Sequence, residues 1–518
     1  MLGALILVEA VANLNLSVAN TALPDIGRAF DASQTELTLI SVAYSLGLAA
    51  SVLYLGAVGD RYGRKQMLML GMAISIPASV VAAMADDTVT MIAGRLIGGV
   101  AAGMAYPTTL ALITALWSGA ARTRSIALWS AAGGAMTALG PIVSGGLLEW
   151  FTWPSVFIVT IPLALAALAM SWREVPSHVN ENDDPVDHRG GLLSAVMVAS
   201  LVLAINFSTF PGSRTAAVAL LGIALVSGAL FFKRQRRVPE PLFDLEYARR
   251  PIFWVAATAG IIVFGSLMGA MFVGQQYLQN VLGYSTLASG AAIIPGAVAM
   301  ALVAPRSAKL VGSRGSRWVL LTGYGFCALG FASMLALWTT GAEYWQVGLS
   351  FLLMGTGVGL AGTPASHALT GALPVRRVGM ASGTADLQRD LGGAIIQSIF
   401  GALLTAGYAN AFSRAIASSP QASGVSPEVE STLEKSFAGA EVVAERYPQY
   451  STAIIDAART SFEQGQTWAY VVGLLAVGLG SALVWRFFPA RDEEARLLGE
   501  YAKEDDDGGG GGSDEAGA

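Results

Sequence analysis

The sequence predicts an all-α polytopic membrane protein whose 14 transmembrane helices divide into groups of six, two and six. Three observations carry this. Of 518 residues 54% are hydrophobic and 13% charged, with mean hydropathy +0.56, a balance that soluble domains of this length do not show. Apolar runs long enough to cross a bilayer as a helix of roughly 20 residues fall near 2–23, 37–58, 66–84, 88–112, 124–148, 155–172, 190–207, 216–232, 252–274, 286–304, 317–338, 345–366, 379–407 and 467–488. Placing both termini in the cytoplasm then gathers most of the 31 Lys and Arg residues in cytoplasmic connections, as the positive-inside bias requires. Arg28 and Arg214 alone fall in short external loops; Arg414, Lys435, Arg446 and Arg459 lie in the long external loop, and Arg95 and Arg389 within spans.

The first run, Leu2 to Leu23, is too long for the apolar core of a signal peptide. It reads as a helix that stays, and a start further upstream is left open. Spans 1 to 6 are expected to form an N-terminal bundle over 1–172. Residues 173–250 form a linker carrying two inserted spans, the first of which (190–207) is short and followed by Asn206, Ser208 and Pro211. A C-terminal bundle, 251–488, includes an external loop, 408–466, with two short helices expected around 428–444 and 453–462. The tail, 489–518, is acidic and Gly-rich and is expected to be disordered in the cytoplasm.

The net charge of −5 arises from the Asp183-Asp184 loop, the long external loop and the tail, and no nucleic-acid-binding patch is visible. Cys327, the one cysteine, sits in an apolar run, which excludes a disulfide framework and a thiol metal cluster. His178, His188 and His367 lack ligand spacing, so neither a metal nor a cofactor is expected. No phosphate-binding glycine loop occurs, so ATP is not the expected energy source.

Between the second and third spans stands Gly56-Ala57-Val58-Gly59-Asp60-Arg61-Tyr62-Gly63-Arg64-Lys65. Its glycines suit a sharp turn, and its basic residues mark a cytoplasmic surface. Asp60, read at the start of the third helix, would meet the positive end of that helix's dipole and accept charge-assisted bonds from neighbouring arginines. Basic residues alone would be mere topology anchors; Asp60, Arg61, Gly63, Arg64 and Lys65 at this spacing resemble the signature between helices 2 and 3 of the major facilitator superfamily. The resemblance implies a transporter of two pseudo-symmetric bundles with its site between them.

Arg95 lies inside span 4, where an unpaired guanidinium is costly and needs an acceptor or a wet cavity. Both a helix-to-helix bond and a functional role remain open; the surrounding Gly94-Arg95-Leu96-Ile97-Gly98-Gly99 resembles the superfamily pattern in which this arginine is linked to proton coupling. Span 5 carries Gly140-Pro141, Ser144, Gly145 and Gly146, similar to the antiporter signature G-P-x-x-G-G with Ser144 in place of one glycine. Such small residues let helices approach closely.

Span 1 runs through Asn13, Asn15, Asn20 and Pro24, and resembles the first-helix signature of the fourteen-span drug:proton antiporters, except that Asn15 replaces the acid. Glu9 is the carboxylate left in that span, one helical turn before Asn13. It either replaces the missing acid or faces the headgroups. Span 13, from Gly379 to Gly393, is close to the same branch's pattern with Asp386 and Asp390 in place of amides. With Arg389 beside them they form either a structural salt bridge or a titrating site. Pro239 to Leu245 and Gln276 to Ser285 add to the likeness. Trp129, Met136, Met268, Met271 and Phe272 either line an adaptable apolar pocket or pack.

What the resemblance implies is a monomeric, multi-pass protein of the cytoplasmic membrane that exports apolar or cationic small molecules in exchange for protons, and that is not an enzyme. Export of a lipid or endogenous metabolite is the alternative; a membrane enzyme or sensor is the alternative of another class, without a catalytic constellation or soluble domain to support it. Because the resemblance places span 1 beside span 4, Glu9 is the expected partner of Arg95 and the expected proton carrier, with Asp386 next.

Overall fold

The computed structural model describes residues 1–117, 119–177, 185–208, 212–373, 378–419 and 425–509, and among these it contains helices and no strand. Asp183, Asp184, His178 and the end of the tail lie outside the described residues. The chain opens with α1 (Leu2–Phe30), α2 (Gln34–Tyr62), α3 (Arg64–Ala83), α4 (Thr88–Leu116) and α5 (Gly119–Leu148). The sixth span is built from α6 (Ser155–Ile158) and α7 (Thr160–Glu174). It breaks there because Pro162 has no N–H to offer the carbonyl of Ile158. The inserted pair is α8 (His188–Phe207) and α9 (Arg214–Gln235), and a short α10 (Leu245–Ala248) leads into α11 (Pro251–Gln276). Next come α12 (Thr286–Ala291) and α13 (Ile294–Arg314), separated where Pro295 cannot bond Ala291, then α14 (Ser316–Leu337), α15 (Tyr344–Gly371) and α16 (Val378–Ser418). The chain ends with α17 (Pro427–Lys435), α18 (Phe437–Arg446), α19 (Ser451–Phe487) and α20 (Arg491–Gly509).

By length and composition 13 helical segments among the described residues could cross a membrane. The 30-residue α5 takes the place of the fourteenth. Helices overrun the apolar limits read from sequence, since a helix need not stop where its apolar stretch does: α19 begins at Ser451, so the second external helix expected near 453–462 is its first turns. The other expected external helix is two, α17 and α18.

The expected disorder over 489–518 is corrected for Arg491–Gly509, which is helical. Tertiary contacts explain the order. Glu494 Oε2 accepts from Ser316 N, the first residue of α14, at 3.0 Å. Arg491 Nη2 donates to Gly312 O at 3.2 Å, and the Arg250 guanidinium lies 4.1 Å from the Tyr501 ring centre. The tail helix is thereby fastened across the ends of α11, α13 and α14.

Two groups of helices result. In one, α4 packs on α2 and α3, and α1 on α5 and α7; in the other, α15 packs on α13 and α14, and α16 on α11 and α19. They meet where α16 lies on α2 and where α12 lies on α5. The inserted α8 rests on α2 and α16, with α9 outside it. Val218, Leu225 and Val226 of α9 are largely exposed, an apolar face suited to lipid.

Helix α1 begins and α19 ends at one face, here the terminal face; α17 and α18 lie at the opposite, or loop, face. At the loop face the two groups are joined by Gln34 Nε2 donating to Gln276 Oε1 at 2.9 Å and Gln279 Nε2 to Thr21 O at 3.0 Å. Lys435 of α17 pairs with Asp31 at 2.9 Å, and Arg28 of α1 lies 3.9 Å from Glu441 of α18.

Candidate functional site

The charged turn lies at the terminal face. Gly63, at φ 119°, reverses the chain and caps both neighbouring helices, a backbone region that favours glycine. Asp60 therefore stands in the last turn of α2, and not at the start of α3 as expected. Its carboxylate reaches forward across the turn, accepting from Arg64 Nε at 2.8 Å. Arg64 Nη1 also donates to Ala111 O of α4 at 3.4 Å, and Lys65 Nζ to Val175 O at 2.6 Å and Trp172 O at 2.9 Å. Arg61, in the last turn of α2, complements the negative end of that helix. At Gly56 a Cβ would meet nothing within 4 Å, so no close contact demands glycine there.

Arg95 enters from the other face, two turns into α4, and is 2% exposed. Its Nη1 donates to Asn15 O at 2.5 Å and its Nε to Ile40 O at 3.4 Å, while its guanidinium carbon lies 5.1 Å from the Tyr44 ring centre and 5.9 Å from that of Phe157. Backbone carbonyls and ring faces thus do the work of an acid here. Nη2 has no hydrogen-bond partner among the described residues, and a cavity of about 10 Å³ lined in part by Asn15, Ser75 and Ser79 adjoins it. The expected Glu9–Arg95 pair does not form. Glu9 stands six residues before Asn15, about 9 Å down α1 at 1.5 Å per residue.

The small residues of α5 form a wall shared by both groups. A Cβ on Gly140 would lie 2.7 Å from Ser17 Cβ of α1, and one on Gly145 2.7 Å from Leu287 Cα of α12. Pro141 faces Gly290 of α12 at equally short range. Ser144, where the antiporter signature has glycine, donates its hydroxyl to Val18 O at 2.9 Å, and Thr286 Oγ1 donates to Gly145 O at 3.3 Å. Gly146 is different: a Cβ there would meet only Leu287 Cδ1 at 3.9 Å.

Glu9 is 1% exposed, inside the protein. Asn13 and Asn15 each donate to their own helix, to Glu9 O at 3.0 Å and to Val11 O at 3.1 Å. The Glu9 carboxyl fits because α5 offers Gly133, where a Cβ would lie 2.8 Å from Glu9 Cδ. Across the boundary between the groups stands α16, with Asp386 at 7% and Asp390 at 1% exposure. Arg389 Nε lies 3.7 Å from Asp390 Oδ1, and Glu9 is within electrostatic reach of Arg389 and Asp386. Among the described residues Glu9 Oε2, Asp386 Oδ2 and both Asp390 oxygens lack a hydrogen-bond partner. Three buried carboxylates from two helix groups thus lie within electrostatic reach of one guanidinium, Asp390 at 3.7 Å.

Beside the cluster stand Tyr106 and Thr109, which no sequence motif singles out, together with Trp129. The Arg389 guanidinium sits 4.9 Å from the Tyr106 ring centre, and Tyr106 lies 5.6 Å from Trp129, whose Nε1 donates to Thr109 Oγ1 at 2.9 Å. Tyr106 precedes Pro107 in the middle of an apolar span, and that pairing was its signal. Met268, Met271 and Phe272 are buried in α11, while Met136 is half-buried.

The chain matches the Major Facilitator Superfamily model over residues 5–397. It is 32% identical over 483 residues to the multidrug efflux pump LfrA of Mycolicibacterium smegmatis, covering 92% of this chain and 94% of that one. It is 31% identical over 395 residues to the multidrug resistance protein Stp of Mycobacterium tuberculosis (76% and 73%), and 29% over 485 residues to the methyl viologen resistance protein SmvA of Salmonella typhimurium (92% and 94%). Among solved structures, a bacterial homolog of the human lysosomal transporter Spinster superposes with TM-score 0.62 at 17% identity, covering 94% of this chain and 96% of that one. The xylose transporter XylE from E. coli gives 0.60 at 13%, with 95% and 97% covered. At such identities the likeness speaks for the fold.

Proposed function

Because this chain belongs to the major facilitator superfamily, we propose that it exports small apolar or cationic molecules from the cytoplasm in exchange for protons, by alternating access between its two bundles. The relatives' names, multidrug efflux and resistance proteins, support that substrate class. The observation that carries the coupling is the buried cluster of Glu9, Asp386 and Asp390 around Arg389. One guanidinium balances one carboxylate, and leaving the other negative charges bare in a buried site is costly. Protons or a cationic guest supply the balance, and each excludes the other. A guest arriving from the cytoplasm displaces protons; opening to the outside lets protons displace the guest.

Because Glu9 belongs to one bundle and the two aspartates to the other, opening either face changes the distance between opposite charges. Proton affinity and conformation are then linked through differential interaction in the two states. Tyr106 and Trp129 give the site ring faces for an apolar or cationic guest. In this scheme the terminal face is cytoplasmic, as the distribution of basic residues supports, and the protein works as a monomer. Arg95, held by Asn15 and Ile40 carbonyls, positions α1 against α2 and α4 and carries no proton itself.

Transport in energised vesicles tests the assignment. Glu9→Gln is expected to abolish pH-driven export while counterflow of the substrate persists; Asp390→Asn, which returns to the branch's amide, is expected to keep it. Full pH-driven export by Glu9→Gln would overturn the role of Glu9 and move the carrier to Asp386.

A further inference from the structure

A pocket of about 300 Å³ opens at the terminal face between the end of α9, the short α10 and the first turns of α11, away from the buried cluster. Its walls include Phe232, Phe243, Phe253 and Trp254, and its two charged lining residues are Arg236 and Arg249. The rings are fixed in place: Phe243 lies 6.1 Å from Phe253, and Trp254 5.5 Å from Phe487 of α19. The volume sits at the lower end of the roughly 300–1,000 Å³ typical of small-molecule sites.

The fold already employs the neighbouring arginines. Arg234 Nε pairs with Asp187 at 2.6 Å, and Arg250 Nη1 donates to Ala372 O at 2.7 Å with its guanidinium over Tyr247 and Tyr501. Arg236 and Arg249 are exposed, and neither side chain has a hydrogen-bond or ion-pair partner among the described residues. An aromatic-walled slot beside a lipid-facing helix with two unused guanidinium groups at its mouth has the charge and polarity of a lipid headgroup site. A cationic export substrate would be repelled by both arginines.

We propose that this pocket holds an anionic phospholipid of the cytoplasmic leaflet, its phosphate on Arg236 and Arg249 and the start of one acyl chain against Phe232 and Trp254. The choice of leaflet rests on the orientation given under the proposed function; binding itself does not. Basic pockets between membrane helices on the cytoplasmic side are suited to such headgroups. A bound lipid would bridge α9 of the inserted pair to α11 of the second bundle, giving that pair a fixed place beside a core it touches mainly through α8.

Native mass spectrometry of the full chain, extracted from vesicles of phosphatidylethanolamine with and without phosphatidylglycerol, reads the site directly and needs no transport. Retained phosphatidylglycerol is expected for the wild type and for Arg237→Gln, an exposed neighbour outside the pocket. The double variant Arg236→Gln/Arg249→Gln should bind about thirtyfold more weakly, the product of the increments that two basic residues add near an anionic surface. Phe232→Ser should also weaken retention, because the acyl chain loses a wall. Equal retention by the double variant and wild type overturns the proposal. So does displacement of the lipid by inorganic phosphate, which would mark a plain anion site, or loss of retention only together with loss of a dimer, which would mark a contact between copies. Full pH-driven export by Glu9→Gln with lipid binding intact would count against the transport reading and leave this one standing.

Discussion

Gly145→Ala should loosen the seal between the bundles at the loop face while its neighbour Gly146→Ala does not. At Gly145 an added methyl would lie 2.7 Å from Leu287 Cα and 2.8 Å from Thr286 C, and backbone cannot swing aside as a side chain can. Either α5 or α12 must retreat, in the one conformation where they touch. Overpacking of this kind costs about 1–3 kcal/mol. Charged wholly to the sealed state, it raises the population open at the loop face by roughly 5- to 150-fold. Thr38, 1% exposed and packed against Gly401 of α16 across the same seam, is a suitable reporter. In a Cys327→Ala background, Thr38→Cys should react with an impermeant maleimide faster by that factor when Gly145→Ala is present. At Gly146 the nearest atom would be Leu287 Cδ1 at 3.9 Å, ordinary contact, and the labelling rate should not change. Equal rates for the two glycine variants would refute the claim that the α5–α12 approach holds this face shut.

Asp60→Asn removes the 2.8 Å pair with Arg64 across the Gly63 turn; since partly exposed pairs contribute up to about 1 kcal/mol, normal production with transport lowered by up to about fivefold is expected, measured as initial rates per inserted protein. Wild-type rates would remove the turn from the mechanism. Orientation is checked by impermeant thiol labelling of intact cells: Ser431→Cys on α17 should react and Glu493→Cys on α20 should not, and labelling of Glu493→Cys alone would invert the topology. Glu494→Ala strips the acceptor from Ser316 N at the start of α14, a buried bond whose loss costs about 1–3 kcal/mol; a lower melting temperature in detergent with exchange-labile α20 amides is expected, and unchanged protection of α20 would show that the tail is held by something else.

Much of the fold was legible because a bilayer imposes length and sign. Fourteen apolar runs map onto helices or pairs of short helices, and the breaks at Pro162 and Pro295 were written in the chain as missing N–H groups. The order of α20 was not legible, since composition near residue 504 favours disorder and what holds the helix is tertiary: Tyr501 beneath Arg250 and Glu494 on α14. Asp60 falls at the end of α2, a few residues before the expected helix start, because Gly63 and not the first charge marks the turn. Composition also could not show that Ser144 exploits its hydroxyl where the signature's glycine would only save space.

Glu9 and Arg95 do not pair, although span 1 lies beside span 4, and the reason is depth. Adjacent helices bring two residues together only if both lie at the same level. Glu9 is seven residues from the start of α1 and Asp386 eight from the start of α16, and both helices start at the terminal face; at 1.5 Å per residue each lies about 11 Å in. Arg95 is seven residues into α4, which starts at the opposite face. Counting rise from each loop therefore sets Glu9 level with Asp386 and away from Arg95, as observed. Asn15, where the resembled first-helix signature has an acid, follows the same geometry. Asn15 O is the acceptor for Arg95 Nη1, so a carboxylate at that position would stand at Arg95's level, whereas Glu9, about 9 Å lower on α1, stands at the level of Asp386. In the proposed scheme Glu9 answers electrostatically to Arg389 of the other bundle and not to Arg95 of its own, and a carboxylate and a guanidinium on opposite sides of the boundary are what rocking the bundles would bring together and separate.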